Sequence, residues 1–124
     1  MPDIYVTLSD DPDSWASGYV TAEGAAGDHE LELAATHELM LMQAERLQQV
    51  IAQRWPDAEI HVNESPAFGA TTRALLDEGY DTVEGVRIEA AIEAEVDRIV
   101  ETVWAELSTN EAVDEAVRRA RANA

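Results

Sequence analysis

The first third of the chain alternates between short apolar segments and polar turns. Residues 3–9 alternate strictly between aliphatic and polar side chains, which predicts a half-buried strand. Residues 18–23 and 29–35 carry shorter alternating patterns, separated by a turn that contains glycines. We interpret both segments as strands, although residues 29–35 also fit the start of the following helix.

The rest of the chain is dominated by helical periodicity. Thr36 is the predicted N-cap of a helix over residues 37–54, which ends where Pro56 disfavours helical geometry in the preceding residue. Residues 59–64 alternate like a strand. The remaining pattern predicts a short helix over residues 72–78, a long helix over residues 82–107 with Asp81 as its N-cap, and a last helix after Ser108.

These elements predict an α+β fold in a single domain of residues 1–124. We expect a small antiparallel sheet of about three or four strands, drawn from residues 3–35 and 58–64. One central helix and a helical C-terminal half would pack on this sheet. Because 46% of the residues are hydrophobic, the chain can build a core, and its high charge does not indicate disorder.

The charge of the chain is strongly unbalanced. Against 26 acidic residues there are eight arginines and no lysine, and the formal net charge is -18. The first basic residue is Arg46, and residues 1–35 contain eight acids. Such a field repels nucleic acid and anionic membranes and attracts basic protein surfaces. We therefore expect a basic nucleic-acid-binding protein or complex as the partner, without direct contact to nucleic acid or membrane.

Two groups of acidic residues are candidates for the partner-binding site. The first recurs every four residues along the long helix and consists of Glu89, Glu93, Asp97 and Glu101. It predicts a row of carboxylates about 6 Å apart, on the scale of the phosphates along a DNA strand. The second group lies in an N-terminal turn and consists of Asp10, Asp11 and Asp13. The alternative is a merely solvated helix face, on which like charges cost about 0.2–0.5 kcal/mol per pair.

Chemistry other than binding finds little support in the residue pattern. The chain has no cysteine, and its three histidines, His29, His37 and His61, match no metal-binding motif. It also contains no nucleotide-binding glycine loop and no nucleophile motif. We therefore expect no catalytic residue, no metal ion and no cofactor, and we do not expect an enzyme.

In size, acidity and lack of catalytic motifs, the chain resembles the small acidic inhibitors of phages and mobile elements, the anti-CRISPR and anti-restriction proteins. The resemblance covers no specific motif, so no residues are carried over from that class. It implies a DNA-mimicking inhibitor that binds a CRISPR surveillance complex, a restriction enzyme or another DNA-binding factor. Such an inhibitor acts in the cytoplasm, which is that of the host cell if a phage encodes it.

Two other classes of function fit the composition. A cytosolic protein of a salt-loving organism uses acidic residues to stay soluble, and it would loosen at low salt. An oligomeric adaptor or antitoxin, a homodimer included, would pair through its C-terminal helices. This second class predicts an exposed apolar stripe along residues 88–107 or 113–120.

Overall fold

The computed structural model describes residues 2–8, 29–63 and 71–122, and within them the fold is α+β, as predicted. The elements in chain order are β1 (Asp3–Val6), α1 (His29–Arg54), β2 (Glu59–Val62), β3 (Thr72–Leu75), α2 (Val83–Leu107) and α3 (Asn110–Ala122). The predicted strand at residues 18–23 lies outside the described residues. In the part of the chain that is described, no helix is both long enough and apolar enough to cross a membrane.

The three strands form one sheet in the order β2-β1-β3. Strand β1 pairs with β2 in parallel, with Asp3 opposite Glu59, and with β3 antiparallel, with Asp3 opposite Leu75. The sheet is therefore mixed, with one antiparallel pair as expected and one parallel pair. Parallel neighbours need a long crossover connection, and α1 lies in the chain between β1 and β2.

The prediction of a short helix over residues 72–78 was wrong, because residues 72–75 form the strand β3 at an edge of the described sheet. Its residues are acceptable helix formers, but Thr72 and Ala74 are buried, in register with Val6 and Ile4 of β1. Helix propensities differ by less than about 1 kcal/mol per residue, so pairing and burial override them. The prediction was wrong because the partner strand lies far away in the sequence.

Helix α1 includes residues 29–35, so the prediction of a strand there was wrong. Leu31, Ala35 and Leu39 recur every four residues, and Ala35 and Leu39 are fully buried. Alternating glutamate and leucine fits both the two-residue period of a strand and the 3.6-residue period of a helix. The helix forms because it buries Ala35 and Leu39 on one side. Thr36, the predicted N-cap, is a buried residue inside the helix.

The chain groups into two compact units. The sheet unit comprises Met1–Leu8 and Arg46–Thr102, and the helical unit comprises Ser9–Glu45 and Val103–Ala124. Buried aliphatic residues of the sheet unit include Ile4, Val6, Leu47, Ile51, Ala74, Ile92 and Val96. One cluster in the helical unit contains Ala35, Leu39, Ala112, Val113, Ala116, Val117 and Ala120. The single domain stays a prediction, because α1 and α2 each contribute residues to both units.

Helix α3 turns its apolar side toward the core of the helical unit. All four apolar residues that recur at helical spacing between positions 113 and 120 are buried: Val113, Ala116, Val117 and Ala120. The exposed stripe that an adaptor would need at 113–120 is therefore not present on this helix. The N-cap of α3 is Thr109, whose Oγ1 accepts a hydrogen bond from the backbone N–H of Ala112 at 3.2 Å.

Candidate partner-binding surface

The four carboxylates predicted to form a row on α2 are not equally exposed. Glu89 is only 6% exposed, and its Oε2 accepts a hydrogen bond from the backbone N–H of Leu76 at 2.9 Å. Glu93 is half-buried, and its Oε2 lies 3.6 Å from Nη1 of Arg73 on β3. At these two positions the structure differs from the expected exposed row, because both carboxylates contact β3 or the residue after it.

The row changes exposure because it rotates around the helix. Residues four apart differ by about 40° around the axis, so four successive members turn through about 120°. Asp97 and Glu101, the last two members, are exposed, and their role in partner binding stays a prediction. Asp10, Asp11 and Asp13 lie outside the described residues.

A different surface of the sheet unit combines exposed apolar and acidic side chains. It is the segment of residues 78–86, which runs from the turn after β3 into the first turn of α2. Its apolar side chains are open to water: Tyr80 is 61% exposed, Val83 72% and Val86 56%. Several large apolar side chains exposed close together are typical of protein-contact sites, whereas single ones are ordinary.

Exposed carboxylates alternate with these apolar side chains. Each apolar residue is preceded, two positions earlier, by an exposed acid, and these acids are Glu78, Asp81 and Glu84. Segment 78–86 therefore presents apolar and negative side chains side by side. In protein interfaces, apolar groups at the centre supply most of the affinity, while charges around them steer the encounter.

The remaining residues of the segment hold its backbone in place. Gly79 has a φ of 75°, a left-handed conformation that favours glycine. Oγ1 of Thr82 donates a hydrogen bond to the carbonyl oxygen of Gly79 at 2.6 Å and accepts one from the N–H of Gly85 at 2.9 Å. Thr82 is therefore the N-cap of α2, in place of the predicted Asp81, whose side chain is exposed.

The close approach of Gly79 and Gly85 completes this scaffold. A Cβ atom on Gly85 would lie 1.8 Å from the carbonyl oxygen of Gly79, so only glycine fits without movement of the backbone. The segment therefore repeats every three positions: an acidic residue is followed by a residue that holds the backbone, and then by an exposed apolar residue. A fixed backbone holds the exposed side chains in position before binding and lowers the entropy cost of association.

The exposed apolar residues were not predicted as a site, although a signal was present. Val83 and Val86 lie on α2 out of phase with the buried residues Ile92 and Val96. On an amphipathic helix, apolar residues outside the core stripe have no partner within the core. That mismatch could have marked the start of α2 as a contact surface.

The described part of the sheet unit also contains a group of side chains able to ligate a metal ion. Asp3, Glu59 and His61 each offer a ligand atom within 4.8 Å of the others. The His61 ring stacks on the ring of Tyr5, with centroids 4.4 Å apart. No sequence motif revealed the group, because Asp3 meets Glu59 only through the parallel pairing of β1 and β2.

The helical unit carries a separate cluster of charges. Glu115 accepts hydrogen bonds from Nε of Arg118 at 2.8 Å and from Nε of Arg119 at 3.1 Å. These bonds, that of Arg118 foremost, lower the pKa of Glu115 to about 2. Arg119 also lies 3.8 Å from a carboxylate oxygen of Glu45 on α1. The cluster thus joins α1 to α3, and we assign it a structural role.

Comparison of the chain with known proteins identified no relative. No family model matches the sequence, no curated protein matches it, and no solved structure matches its fold. Function is therefore inferred from the exposed segment 78–86, from the charge of the chain and from the side-chain contacts described above.

Proposed function

We propose that this chain is an acidic binding protein that inhibits a nucleic-acid-binding protein or complex, of the anti-CRISPR or anti-restriction kind. The observation that carries the proposal is segment 78–86, in which three widely exposed apolar side chains alternate with three exposed carboxylates. On a chain with a net charge of -18, such a segment favours a partner with a basic surface. The nucleic-acid-binding face of the partner is a surface of that kind, and its occupation would exclude nucleic acid.

The apolar side chains of the segment would supply most of the affinity. Tyrosine is enriched among the residues that dominate binding energy, and Tyr80 stands beside Val83 on a fixed backbone. Removing apolar surface from water contributes about 25 cal/mol per Å². An apolar contact also separates this mode of binding from pure charge mimicry, because a phosphate backbone offers no such contact. Selectivity for one target would follow from it.

The carboxylates would raise the association rate and would take the place of the phosphate groups of the nucleic acid. Attraction between an acidic chain and a basic patch raises the association rate, and dissolved salt screens that attraction. Arginine and lysine side chains that bind phosphate also bind carboxylate in the same charge-assisted manner. Asp97 and Glu101, exposed farther along α2, add negative charge to the same unit.

Inhibition assays with a panel of purified restriction endonucleases and CRISPR surveillance complexes test the proposal. We expect the chain to prevent DNA binding and cleavage by at least one of these targets. Tyr80→Ala and Val83→Ser should each weaken inhibition by about 5–30-fold, equivalent to about 1–2 kcal/mol at an interface hot spot. Both side chains are exposed, so neither change should alter stability by more than about 0.5 kcal/mol.

Leu33→Ser is the matched control. Leu33 is also a large exposed apolar residue, but it lies on α1 in the helical unit. The control should inhibit like the wild-type chain. If Leu33→Ser and Tyr80→Ala weaken inhibition equally, segment 78–86 is not the binding surface. If the chain inhibits no member of the panel, inhibition of nucleic-acid-binding proteins of these classes is excluded.

The exposed apolar residues also favour a second candidate, an oligomeric adaptor or antitoxin. Ile88, at the beginning of the stripe that this class predicts along residues 88–107, is 42% exposed, whereas Ile92 and Val96 farther along it are buried. The exposed part of α2 is therefore its beginning and not a continuous stripe. An adaptor would bind its partner, or a second copy of the chain, without displacing nucleic acid. A dimer that light scattering detects in the wild-type chain and not in Val83→Ser, together with no inhibition of any target, would favour this candidate.

A further inference from the structure

Independently of the partner-binding surface, we propose that Asp3, Glu59 and His61 form a binding site for a divalent cation of the Zn²⁺ type. Their ligand atoms lie within 4.8 Å of one another. Zinc accepts an imidazole nitrogen together with carboxylate oxygens, whereas Mg²⁺ and Ca²⁺ are bound through oxygen alone. Three protein ligands leave a fourth position of the tetrahedron for water or another small ligand.

The spacing of two of these groups fits a shared metal ion. Nε2 of His61 lies 3.5 Å from Oδ1 of Asp3. Two ligands that are each about 2.0–2.1 Å from a tetrahedral zinc ion stand about 3.4 Å apart. A direct hydrogen bond between a nitrogen and an oxygen is shorter, at about 2.9 Å. The two side chains are therefore spaced as ligands of one ion are spaced.

Strand pairing and ring stacking hold the ligands in place. The parallel register sets Asp3 opposite Glu59 and Tyr5 opposite His61. Because alternate residues of a strand face the same side, all four side chains lie on one face of the sheet. The rings of Tyr5 and His61 stack at an interplanar angle of 9°, which fixes the plane of the imidazole.

The surroundings of the site allow a cation to enter. The side chain of Asp3 is 30% exposed and Glu59 is exposed, so a cation can enter from the side of the two carboxylates. Nε2 of His61 is itself buried. The net charge of -18 concentrates cations near the protein. A bound ion would connect β1 to β2, and it would stabilise the folded chain because the unfolded chain does not bring these residues together.

Calorimetric titration of the full chain with Zn²⁺ tests the site, with Mg²⁺ as the comparison ion. We expect one Zn²⁺ per chain and a higher Tm with Zn²⁺, and no rise in Tm with Mg²⁺ at the same concentration. His61→Gln and Asp3→Asn should each weaken Zn²⁺ binding by more than about 100-fold. Loss of a residue that only hydrogen-bonds to a metal ligand already lowers metal affinity by about 10–100-fold. The matched control is His37→Gln, at an exposed histidine on α1 that should not matter.

Equal Zn²⁺ affinity of His61→Gln and the wild-type chain would overturn the proposal, as would equal weakening by His37→Gln. A second measurement uses only the wild-type chain, so it does not depend on whether a variant folds. One equivalent of Co²⁺ should produce visible absorption bands of tetrahedral coordination and should shift the NMR signals of the His61 ring. Unchanged His61 signals would exclude the site.

Discussion

The buried carboxylate of Glu89 on α2 accepts a hydrogen bond, at 2.9 Å, from the backbone N–H of Leu76, the residue that follows β3. Among the described strands, β3 lies at the edge of the sheet, and Leu76 is the first residue beyond it. Glu89 accepts the N–H of this residue where the chain leaves the sheet. A residue expected to face a partner therefore binds the backbone two residues before segment 78–86, the surface that we propose for the partner.

Replacement of Glu89 should reveal this role. In Glu89→Ala the partly buried N–H of Leu76 loses its acceptor, and we expect the free energy of unfolding to fall by about 1–3 kcal/mol. Glu89→Gln keeps an oxygen acceptor and should lose less. Urea unfolding measures both variants. Equal stability of Glu89→Ala and the wild-type chain would show that the hydrogen bond contributes nothing.

Gly85→Ala should destabilise the chain although alanine is the better helix former. The new Cβ would lie 1.8 Å from the carbonyl oxygen of Gly79, so the backbone must shift. We expect a loss of about 1–3 kcal/mol, as for other overpacked sites, measured by thermal unfolding. Ala94→Gly, at an exposed position of the same helix, is the control and should lose about 1 kcal/mol through propensity alone. A gain in stability for Gly85→Ala would contradict the close approach.

Acid should weaken the contact between Glu115 and its two arginines. The pKa of Glu115 is lowered from 4.5 to about 2, so the folded chain binds this proton less readily than the unfolded chain does. The contribution of Glu115 to stability is therefore present above pH 4.5 and is lost as the pH falls toward 2. Salt and partial exposure keep the effect small. Carboxyl NMR titration should give a pKa near 2, and Arg118→Gln should raise it; an unchanged pKa in that variant would contradict the assignment.

Neutralisation of Asp97 and Glu101, the exposed end of the carboxylate row, should lower the rate of association with a target while it slightly raises the stability of the chain. In the double variant Asp97→Asn, Glu101→Gln, relief of one like-charge pair should raise stability by about 0.2–0.5 kcal/mol. Association with an inhibited target should slow, because less negative charge attracts the basic surface. Stopped-flow kinetics measures the rate, and Glu111→Gln with Asp114→Asn on α3 is the charge-matched control. Equal slowing in both variants would show that only total charge matters.

The dependence of folding and binding on salt should show whether the acidic residues serve to bind a partner or to keep the chain soluble at high salt. We expect cooperative thermal unfolding, followed by circular dichroism, at about 0.1 M and at about 2 M salt, because screening of self-repulsion adds only modestly to stability. Target binding should weaken as salt rises. A chain that folds only at about 2 M salt would instead identify the acidity as an adaptation to a saline interior.

The sequence by itself determined the helical segments at 37–54 and 82–107 and the strand within residues 3–9. In these segments the spacing of apolar residues records which side chains are buried. Helix α1 contains residues 37–54, α2 runs from Val83 to Leu107, and β1 covers residues 3–6 of the predicted strand. Composition alone likewise determined the charge of -18 and therefore the sign of the surfaces that the chain attracts.

Only the tertiary structure decided the rest. Residues 72–78 could form a helix by propensity, but β1 offered backbone pairing and burial that no local pattern records. Glu89 and Asp97 carry the same chemistry on the same helix, yet one contacts Leu76 and the other faces water, because the helix rotates between them. His61 and Asp3 meet only where two strands pair. Contacts between residues distant in the chain depend on how elements pack, and packing is a property of the whole fold.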